Sequence, residues 1–218
     1  MIQSVLAEVS IIIPLAAGEN QQQYLLADLA SRPLQAEIIK SYQTSSKKSR
    51  ASSLNAGAEQ AVGTWLWFLH ADSRVSQDNL RALEHSLERD QQRAALHYFD
   101  LGFIAGGPLL STSARGANLR SRLLMCPYGD QGFCISKQLF LALGGFPEGH
   151  ACGEDLLLVW RAHQAAVALQ PIASTLLTSG RKYHRQGWLK VTALHQWYWL
   201  RLSLPELFKL AVQRCRRR

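Results

Sequence analysis

A run of five apolar residues, Trp65 to Leu69, is followed at once by the polar cluster His70-Ala-Asp-Ser-Arg74, and this junction constrains the fold most. The run is the most apolar strand candidate in the chain. Short apolar runs of this kind are typical of strands that are buried on both faces of a parallel sheet. In open α/β sheets, ligands bind beyond the carboxyl ends of the strands. The junction therefore predicts an α/β fold with a ligand site at the end of this strand.

Strand and helix patterns alternate along the first hundred residues. The β-branched run Val9 to Pro14 ends at a proline and predicts a buried strand, and Glu37 to Lys40 predicts a second, shorter one. Helical spacing and capping residues predict three helices, at Glu19 to Ala30, at Arg50 to Val62, and from Gln77 to about Gln92 with Ser76 as its cap. This alternation indicates a mainly parallel sheet that is covered by helices on both faces.

The second half of the chain has a less regular pattern. One or two extended segments are expected from Ala94 to Ile104, and a further strand at Gly132 to Ile135. The helices predicted here are Ser111 to Met125, Lys137 to Leu143, Glu154 to Ala166, and one or two amphipathic helices from Leu189 to Leu210 that divide near Pro205. Because no Pro/Gly/Ser-rich linker divides the 218 residues, we expect a single domain.

The chain is basic, with 24 Lys and Arg residues against 16 Asp and Glu residues. Such a surface attracts anions, whether nucleotide diphosphates, anionic lipid head groups or nucleic acid. We expect no nucleic-acid partner, since no aromatic and basic platform accompanies the charge. The four cysteines lack the spacing of a zinc site, and no window approaches 18 uninterrupted apolar residues. We therefore expect free thiols in a cytoplasmic protein that has no transmembrane helix.

Two positions carry carboxylates suited to chemistry. His70 and Asp72, two residues apart at the end of a strand, can hold a divalent cation that neutralises a diphosphate; the competing interpretation is a turn in which Asp72 caps a backbone amide. Glu154 and Asp155 open a predicted helix, where one carboxylate suffices as a cap. The second carboxylate is then available as a general base.

Two further segments have both a functional and a structural interpretation. The basic run Arg181-Lys-Tyr-His-Arg185 can bind a diphosphate or form a solvated loop. At the C-terminus, Leu189, Ala193, Trp197 and Leu200 share a helical face beside a basic tail. That face either packs on the parent domain or lies at a lipid–water interface.

Five stretches resemble, in their order and spacing, the family 2 glycosyltransferases of the GT-A fold. They are IIIP at 11–14, LNAGAEQAVGTWLWFLHADSR at 54–74, PYGDQGFCISKQLFLALGGFPE at 127–148, GEDLLLVWRAHQA at 153–165 and SGRKYHRQGW at 179–188. Within that family, the chain resembles a bacterial group of arsenosugar-biosynthesis-type glycosyltransferases. The resemblance implies a GT-A-like single α/β domain, with a mainly parallel mixed sheet flanked by helices and C-terminal amphipathic helices.

The resemblance also implies roles for residues that match the family's motifs. His70 and Asp72 stand at the first and last positions of the metal-binding DxD motif, which binds Mn²⁺ or Mg²⁺. Asp155, with Glu154 beside it, stands on the ED motif, whose aspartate is the usual general base. The positions implied on the donor side are Pro14, Glu19, Arg50, Asn55, His70, Asp72 and Arg181, and those on the acceptor side are Asp130 and Gln131.

The function implied is transfer of a hexosyl group from a nucleoside diphosphate sugar to a hydroxyl acceptor, with inversion and metal assistance. The acceptor implied is either small or lipid-linked. If it is lipid-linked, a peripheral contact with the membrane is expected. Residues 1 to about 105 are expected to bind the donor, about 106–188 to form the acceptor and catalytic half, and 189–218 to form a helical extension.

Two rival functions remain open. Relative to the family, the loop and helix that follow the second strand are shortened, because Glu37 to Gln43 runs almost directly into the Arg50 segment. This favours a catalytically weak or inactive protein that serves as a scaffold. The other rival is a nucleotidyltransferase, which needs a glycine-rich loop with an arginine after its first strand. The segment Leu15 to Glu19 has one glycine and no arginine.

Overall fold

The structure is a computed structural model that describes residues 4–16, 18, 20–32, 34–42, 49–150 and 152–216. The strands are β1 (Val9–Leu15), β2 (Glu37–Tyr42), β3 (Trp65–Phe68), β4 (Ala95–Ile104), β5 (Cys134–Ser136) and β6 (Ala168–Ser179). The helices are α1 (Gln22–Ala30), α2 (Arg50–Gln60), α3 (Gln77–Arg89), α4 (Pro108–Leu123), α5 (Lys137–Ala142), α6 (Glu154–Gln164), α7 (Arg181–Gln186) and α8 (Trp188–Arg216). Two 3₁₀ turns lie at Val5–Glu8 and Gly129–Gln131.

The strands form one sheet in the order β2-β1-β3-β5-β4-β6. β1 pairs in parallel with β2 and β3, and β4 pairs in parallel with β6. β5 is antiparallel to both of its neighbours, β3 and β4. The other five strands therefore share one direction, so that their carboxyl ends lie at the same edge. The predicted mixed, mainly parallel sheet is confirmed.

Helices cover both faces of the sheet because the central strands are apolar on both sides. On one face, Ile11, Ile13 and Trp67 pack with the leucines of α1 and α3. On the other face, Ile12 and Phe68 pack with α2, α5 and α6. All four residues of β3 are buried, as the run from Trp65 predicted. Burial of large side chains on both faces supplies the main stabilising free energy of such a layered fold.

The β6 strand was missed in the sequence pattern. It lies at the edge of the sheet and pairs with β4 alone. Pro171 is tolerated there because an edge strand, unlike an inner strand, does not need every backbone N–H for pairing. The pairing with β4 also shifts register, since Ile172 lies opposite Phe99 whereas Thr175 lies opposite Asp100. This irregularity disrupts the two-residue period by which a strand is recognised.

The expected division of the C-terminal helix near Pro205 is wrong. α8 continues from Trp188 to Arg216 with Pro205 inside it. Proline removes one helical hydrogen bond, but side chains on both sides of it, Leu202 and Leu210, pack in the same apolar cluster as Trp160 of α6. Tertiary packing therefore keeps the helix continuous. Among the described residues, the helices are too short or too polar to cross a membrane.

Candidate functional site

A cleft of about 530 Å³ lies where the predicted site residues come together. The chain segments that line it follow or end strands β3 and β6, or belong to the Gly129–Gln131 turn, α2, α6, α7 and α8. Six residues singled out from the sequence line this one cleft: Arg50, His70, Asp72, Asp130, Glu154 and Asp155. The sequence segments that supply them are separated by up to about a hundred residues, so their meeting is a product of the fold.

Arg50 connects two sides of the cleft. The hydroxyl of Ser49 accepts a hydrogen bond from the Ser52 amide, which caps α2 and places Arg50 in its first turn. One guanidinium nitrogen of Arg50 lies 3.2 Å from Oε1 of Glu154, and another contacts Nε2 of His70. Because arginine is only a donor, Nε2 must accept. Burial, together with the positive charge of Arg50, holds the pKa of His70 well below its usual range, so the imidazole is neutral.

The acidic pair occupies the N-terminus of α6. Gly153 precedes it with φ 86°, a conformation that favours glycine, and a Cβ there would lie 2.3 Å from Cδ1 of Leu202. Oδ2 of Asp155 accepts from the Gly129 amide at 2.6 Å, and Oδ1 accepts from the Leu156 amide at 2.9 Å. Glu154 is 3% exposed. Its burial raises its pKa, the charge of Arg50 opposes that rise, and Asp155 adds to it.

Asp130 places a third carboxylate beside this pair. Burial, and then the negative charge of Asp155, raise the pKa of Asp130 to about 6, although Arg120 and Arg50 oppose the shift. Its Oδ1 has no hydrogen-bond partner among the described residues. The acidic end of the cleft therefore brings three carboxylates together, and Asp130 takes up a proton below about pH 6.

Asp72 lines the cleft together with Lys182, and we call this part of the cleft its basic end. Its Oδ1 accepts from the hydroxyl of Thr178 at 3.3 Å, near the end of β6. An adjoining cavity of about 500 Å³ shares Asp72 with the first cleft and is also lined by Arg181, Lys182 and Arg185. The basic run of the sequence thus forms the short helix α7 and presents three cations around one carboxylate.

The residues at this end fit a cation shared with a substrate better than a cation held by protein alone. Among the described residues, no group of three or more His, Cys, Asp and Glu side chains could hold a metal ion. A cation such as Mg²⁺ is usually held by one or two carboxylates together with substrate phosphates, and Asp72 suits that arrangement. His70 suits it less as it stands, because its Nε2 contacts Arg50.

The remaining predicted residues lie elsewhere. Asn55 donates to the Phe146 carbonyl and accepts from the Phe146 amide, both at 2.9 Å, and so holds the loop before α6. Gln131 is fully buried, bonded to Ser121 and to the Phe99 carbonyl, and it supports the turn that carries Asp130. Pro14 is half-buried within β1. Glu19 lies outside the described residues.

Tyr128 and His195 were missed in the sequence as candidate site residues, whereas Tyr183 belongs to the basic run at 181–185 that was singled out. Tyr128, Tyr183 and His195 line the cleft and also a third cavity of about 410 Å³ that lies beside α4 and α8. Burial, and then the charge of Lys182, lower the pKa of His195 to about 4, and its Nε2 lies 3.2 Å from Nζ of Lys182. His195 and Tyr183 belong to helices that pack together only in the fold. The signal in the sequence was the basic run at 181–185, which contains Tyr183.

Comparison with known proteins gives structural matches only, since no family model and no curated protein matches the chain. Residues 1–349 of S. aureus TarS match with TM-score 0.60 and 14% identity, over 78% of this chain and 60% of that one. The same TarS segment in complex with UDP-GlcNAc matches with TM-score 0.61 and 15% identity, over 79% and 58%. A longer TarS chain matches with TM-score 0.59 and 13% identity, over 78% and 36%.

The chain therefore spans less than two thirds of the length of these TarS chains. Similarity at such low identity concerns the fold, and membership of the arsenosugar-biosynthesis-type group stays a prediction. The described residues have a GT-A-like fold: a mixed α/β architecture with one six-stranded sheet flanked by helices.

Proposed function

We propose that this protein transfers a hexosyl group from a nucleoside diphosphate sugar to a hydroxyl acceptor, with inversion. The observation that supports this most is the polarity of one continuous cleft. Its basic end presents Lys182 beside Asp72, and its acidic end presents Asp130, Glu154 and Asp155. A diphosphate leaving group needs cations, and an attacking hydroxyl needs a base. TarS, which shares the fold, forms a complex with UDP-GlcNAc.

Asp155 is the proposed general base. The acceptor oxygen attacks the anomeric carbon from the side opposite the diphosphate, and the bond from that carbon to the phosphate oxygen breaks. The hydroxyl proton passes to Asp155. Its carboxylate is oriented for this by the Gly129 and Leu156 amides. A carboxylate fixed in this way loses little entropy when the acceptor arrives.

The basic end would receive the leaving diphosphate. Lys182 and Arg185, exposed on α7, line the same cavity as Asp72 and would bind the phosphate oxygens. Asp72 would hold Mn²⁺ or Mg²⁺, which neutralises negative charge on the diphosphate when it is bound. His70 would assist only after Arg50 leaves its Nε2.

Arg50 is proposed to hold side chains of both ends of the cleft in position. It contacts Glu154 of the acidic end and His70, two residues before Asp72. Its charge also opposes protonation of Glu154. An incoming diphosphate would compete with Glu154 for this guanidinium, which would couple donor binding to the acidic pair.

Calorimetry with UDP, GDP and dTDP, each with Mn²⁺ and with EDTA, tests the donor side. At least one nucleotide should bind, and binding should strengthen with Mn²⁺. Asp72→Asn should remove the gain from Mn²⁺. Asp78→Asn is the matched control, because Asp78 lies on α3 with its side chain 84% exposed. Equal binding with Mn²⁺ and EDTA would rule out the metal role of Asp72.

A panel of nucleotide sugars, scored for slow hydrolysis without acceptor, tests the reaction itself. A glycosyltransferase should hydrolyse at least one donor, and the same donor should be the one whose nucleotide binds. A scaffold that descends from such an enzyme should bind none of the nucleotides and hydrolyse none of the sugars. That pair of negative results would replace the proposed function with the scaffold function.

A further inference from the structure

The helix α8 has two apolar faces, of which one is exposed. Its inner face packs on α6, where Leu202 and Leu210 join Trp160. Its other face carries six large apolar side chains that are between 46% and 76% exposed. This outer stripe consists of Leu189, Trp197, Leu200, Leu204, Leu207 and Phe208.

The outer stripe is continuous along the helix. Its members recur three, four, seven or eight residues apart, except for the adjacent pair Leu207 and Phe208, and this spacing places them on one face. Packing of this face on the parent domain, one of the two interpretations of the sequence pattern, is therefore wrong. An isolated exposed leucine needs no explanation, but a stripe of six apolar side chains marks an interaction surface.

The charge on α8 indicates what this surface binds. Residues 188–218 contain seven basic residues, Lys190, Arg201, Lys209, Arg214, Arg216, Arg217 and Arg218. Their one acidic residue, Glu206, has a side chain that is 15% exposed; it accepts hydrogen bonds from Gln164 of α6 and from Lys209, and so it neutralises one of the seven. Beside the stripe, the guanidinium of Arg201 lies 5.0 Å from the ring centroid of Trp197. Among the described side chains of α8, the exposed cations Lys190, Arg201 and Arg214 thus accompany the apolar outer stripe.

We propose that α8 binds the surface of an anionic membrane through the outer stripe. A helix that is apolar on one face and flanked by Lys and Arg lies in the plane of the interface, with its apolar side chains about 5–10 Å into the head-group region. The basic residues bind anionic head groups. A second copy of the chain is a poorer occupant, because each copy has a net charge of +8 and the pairing would bring two basic helices together.

This membrane contact would place the cleft close to the bilayer. Leu194 and Tyr198, on the same helix, line the cleft that holds Asp155. A bilayer bound to the outer stripe lies about one helix diameter, roughly 10 Å, from them. The contact does not depend on the proposed function, since vesicle binding is measured without any sugar transfer.

Sedimentation of the intact protein with vesicles tests the proposal. Vesicles of phosphatidylcholine with phosphatidylglycerol should bind the protein, vesicles of phosphatidylcholine alone should bind it much less, and salt should weaken the contact through screening. Trp197 should enter a less polar environment, so vesicles should shift tryptophan emission to the blue. The shift should shrink in Trp197→Phe. Equal binding to both kinds of vesicle, or binding to neither, would overturn the proposal.

Variants on the stripe make the test specific. Leu204→Glu with Phe208→Glu should reduce vesicle binding by about tenfold or more, because two exposed apolar side chains lose their burial in lipid. Leu204→Met with Phe208→Leu should keep it. Leu141→Glu, at a 54% exposed leucine of α5, is the matched control and should bind as the original protein does.

Circular dichroism should show that all these variants are folded, since every altered side chain is exposed. Analytical ultracentrifugation tests whether a second copy of the chain covers the outer stripe instead. If the protein is a dimer that the double Glu variant converts to a monomer, and vesicles do not bind it, the outer stripe is an interface between copies. That result would overturn the membrane assignment.

Discussion

The two ends of the cleft are built differently. At the acidic end, the carboxylates of Glu154 and Asp155 are held by a guanidinium and by backbone amides, and Glu154 is 3% exposed. At the basic end, Lys182 and Arg185 are exposed on the six-residue helix α7. The acidic end is organised before any ligand arrives, whereas the side chains of Lys182 and Arg185 at the basic end are exposed to solvent.

This difference predicts which measured quantity should change when residues at each end are altered. Changes at the acidic end should alter the rate of the chemical step and the folding stability, because its groups are buried and mutually dependent. Changes at the basic end should alter donor affinity, and salt should screen their effects. The predictions below test this division, from the largest effect to the smallest.

Asp155→Asn should lower kcat for donor turnover by about 10²- to 10⁴-fold, the usual effect of removing a general base. Asparagine keeps one side-chain oxygen, which can still accept from the Gly129 amide and so hold the turn against α6, whereas the hydrogen bond to the Leu156 amide is lost. Nucleotide affinity should change little, because the base acts on the acceptor and not on the diphosphate. Kinetics with the active donor and calorimetry with its nucleotide measure the two quantities. Unchanged turnover would exclude Asp155 from the mechanism.

Gly153→Ala should destabilise the protein by about 2–4 kcal/mol, from backbone strain at φ 86° and from the clash with Leu202. Gly149→Ala is the matched control, since Gly149 has φ 84° but no heavy atom within 4 Å of an added Cβ. Urea unfolding of both variants separates strain from the contact between α6 and α8. An equal loss of unfolding free energy in both variants would show that the clash with Leu202 adds nothing to the backbone strain.

Much of the fold could be predicted from the sequence because local signals agree with tertiary burial. Ser76 was expected to cap a helix, and its hydroxyl accepts from the Asn79 amide at 3.1 Å. The run from Trp65 was expected to be buried, and it is. β6 was missed because its edge position and its register shift depend on how it pairs with β4. The sequence of one segment does not show how that segment pairs.

The candidate site was predictable wherever a side chain follows directly on a strand or opens a helix. Asp72 and Asp155 have such positions, and both line the cleft. Gln131 bonds to the backbone of β4 and Asn55 to that of the loop before α6, and no local sequence pattern indicates these distant partners. His195 reaches the cleft because α8 packs beside α7, which no local pattern indicates.

Asp130→Asn should make stability less sensitive to pH. The pKa of Asp130 is raised to about 6 in the folded protein, against an ordinary value near 3.9, so the folded state binds more protons between these values. Ionisation of Asp130 therefore destabilises the fold as pH rises through that window. The variant should match the original near pH 4 and exceed it by about 1–3 kcal/mol above pH 7. A difference that stays constant across pH would contradict the assigned burial.

Lys182→Gln should have the smallest effect, a loss of nucleotide affinity of about two- to fivefold at low salt, since exposed ion pairs contribute about 0.2–1 kcal/mol. The ammonium contacts Nε2 of His195, and the pKa of that imidazole is lowered to about 4, so it is neutral and leaves the charge of Lys182 undiminished for a phosphate. Raising the salt concentration should reduce the difference between the variant and the original protein. Arg81→Gln removes the same charge from α3, where Arg81 is 73% exposed, and should leave affinity unchanged. If both variants lose affinity equally, the donor responds to net charge alone and the basic end is not a specific phosphate site. If Lys182→Gln instead lowers kcat and leaves affinity intact, the division between the two ends of the cleft is wrong.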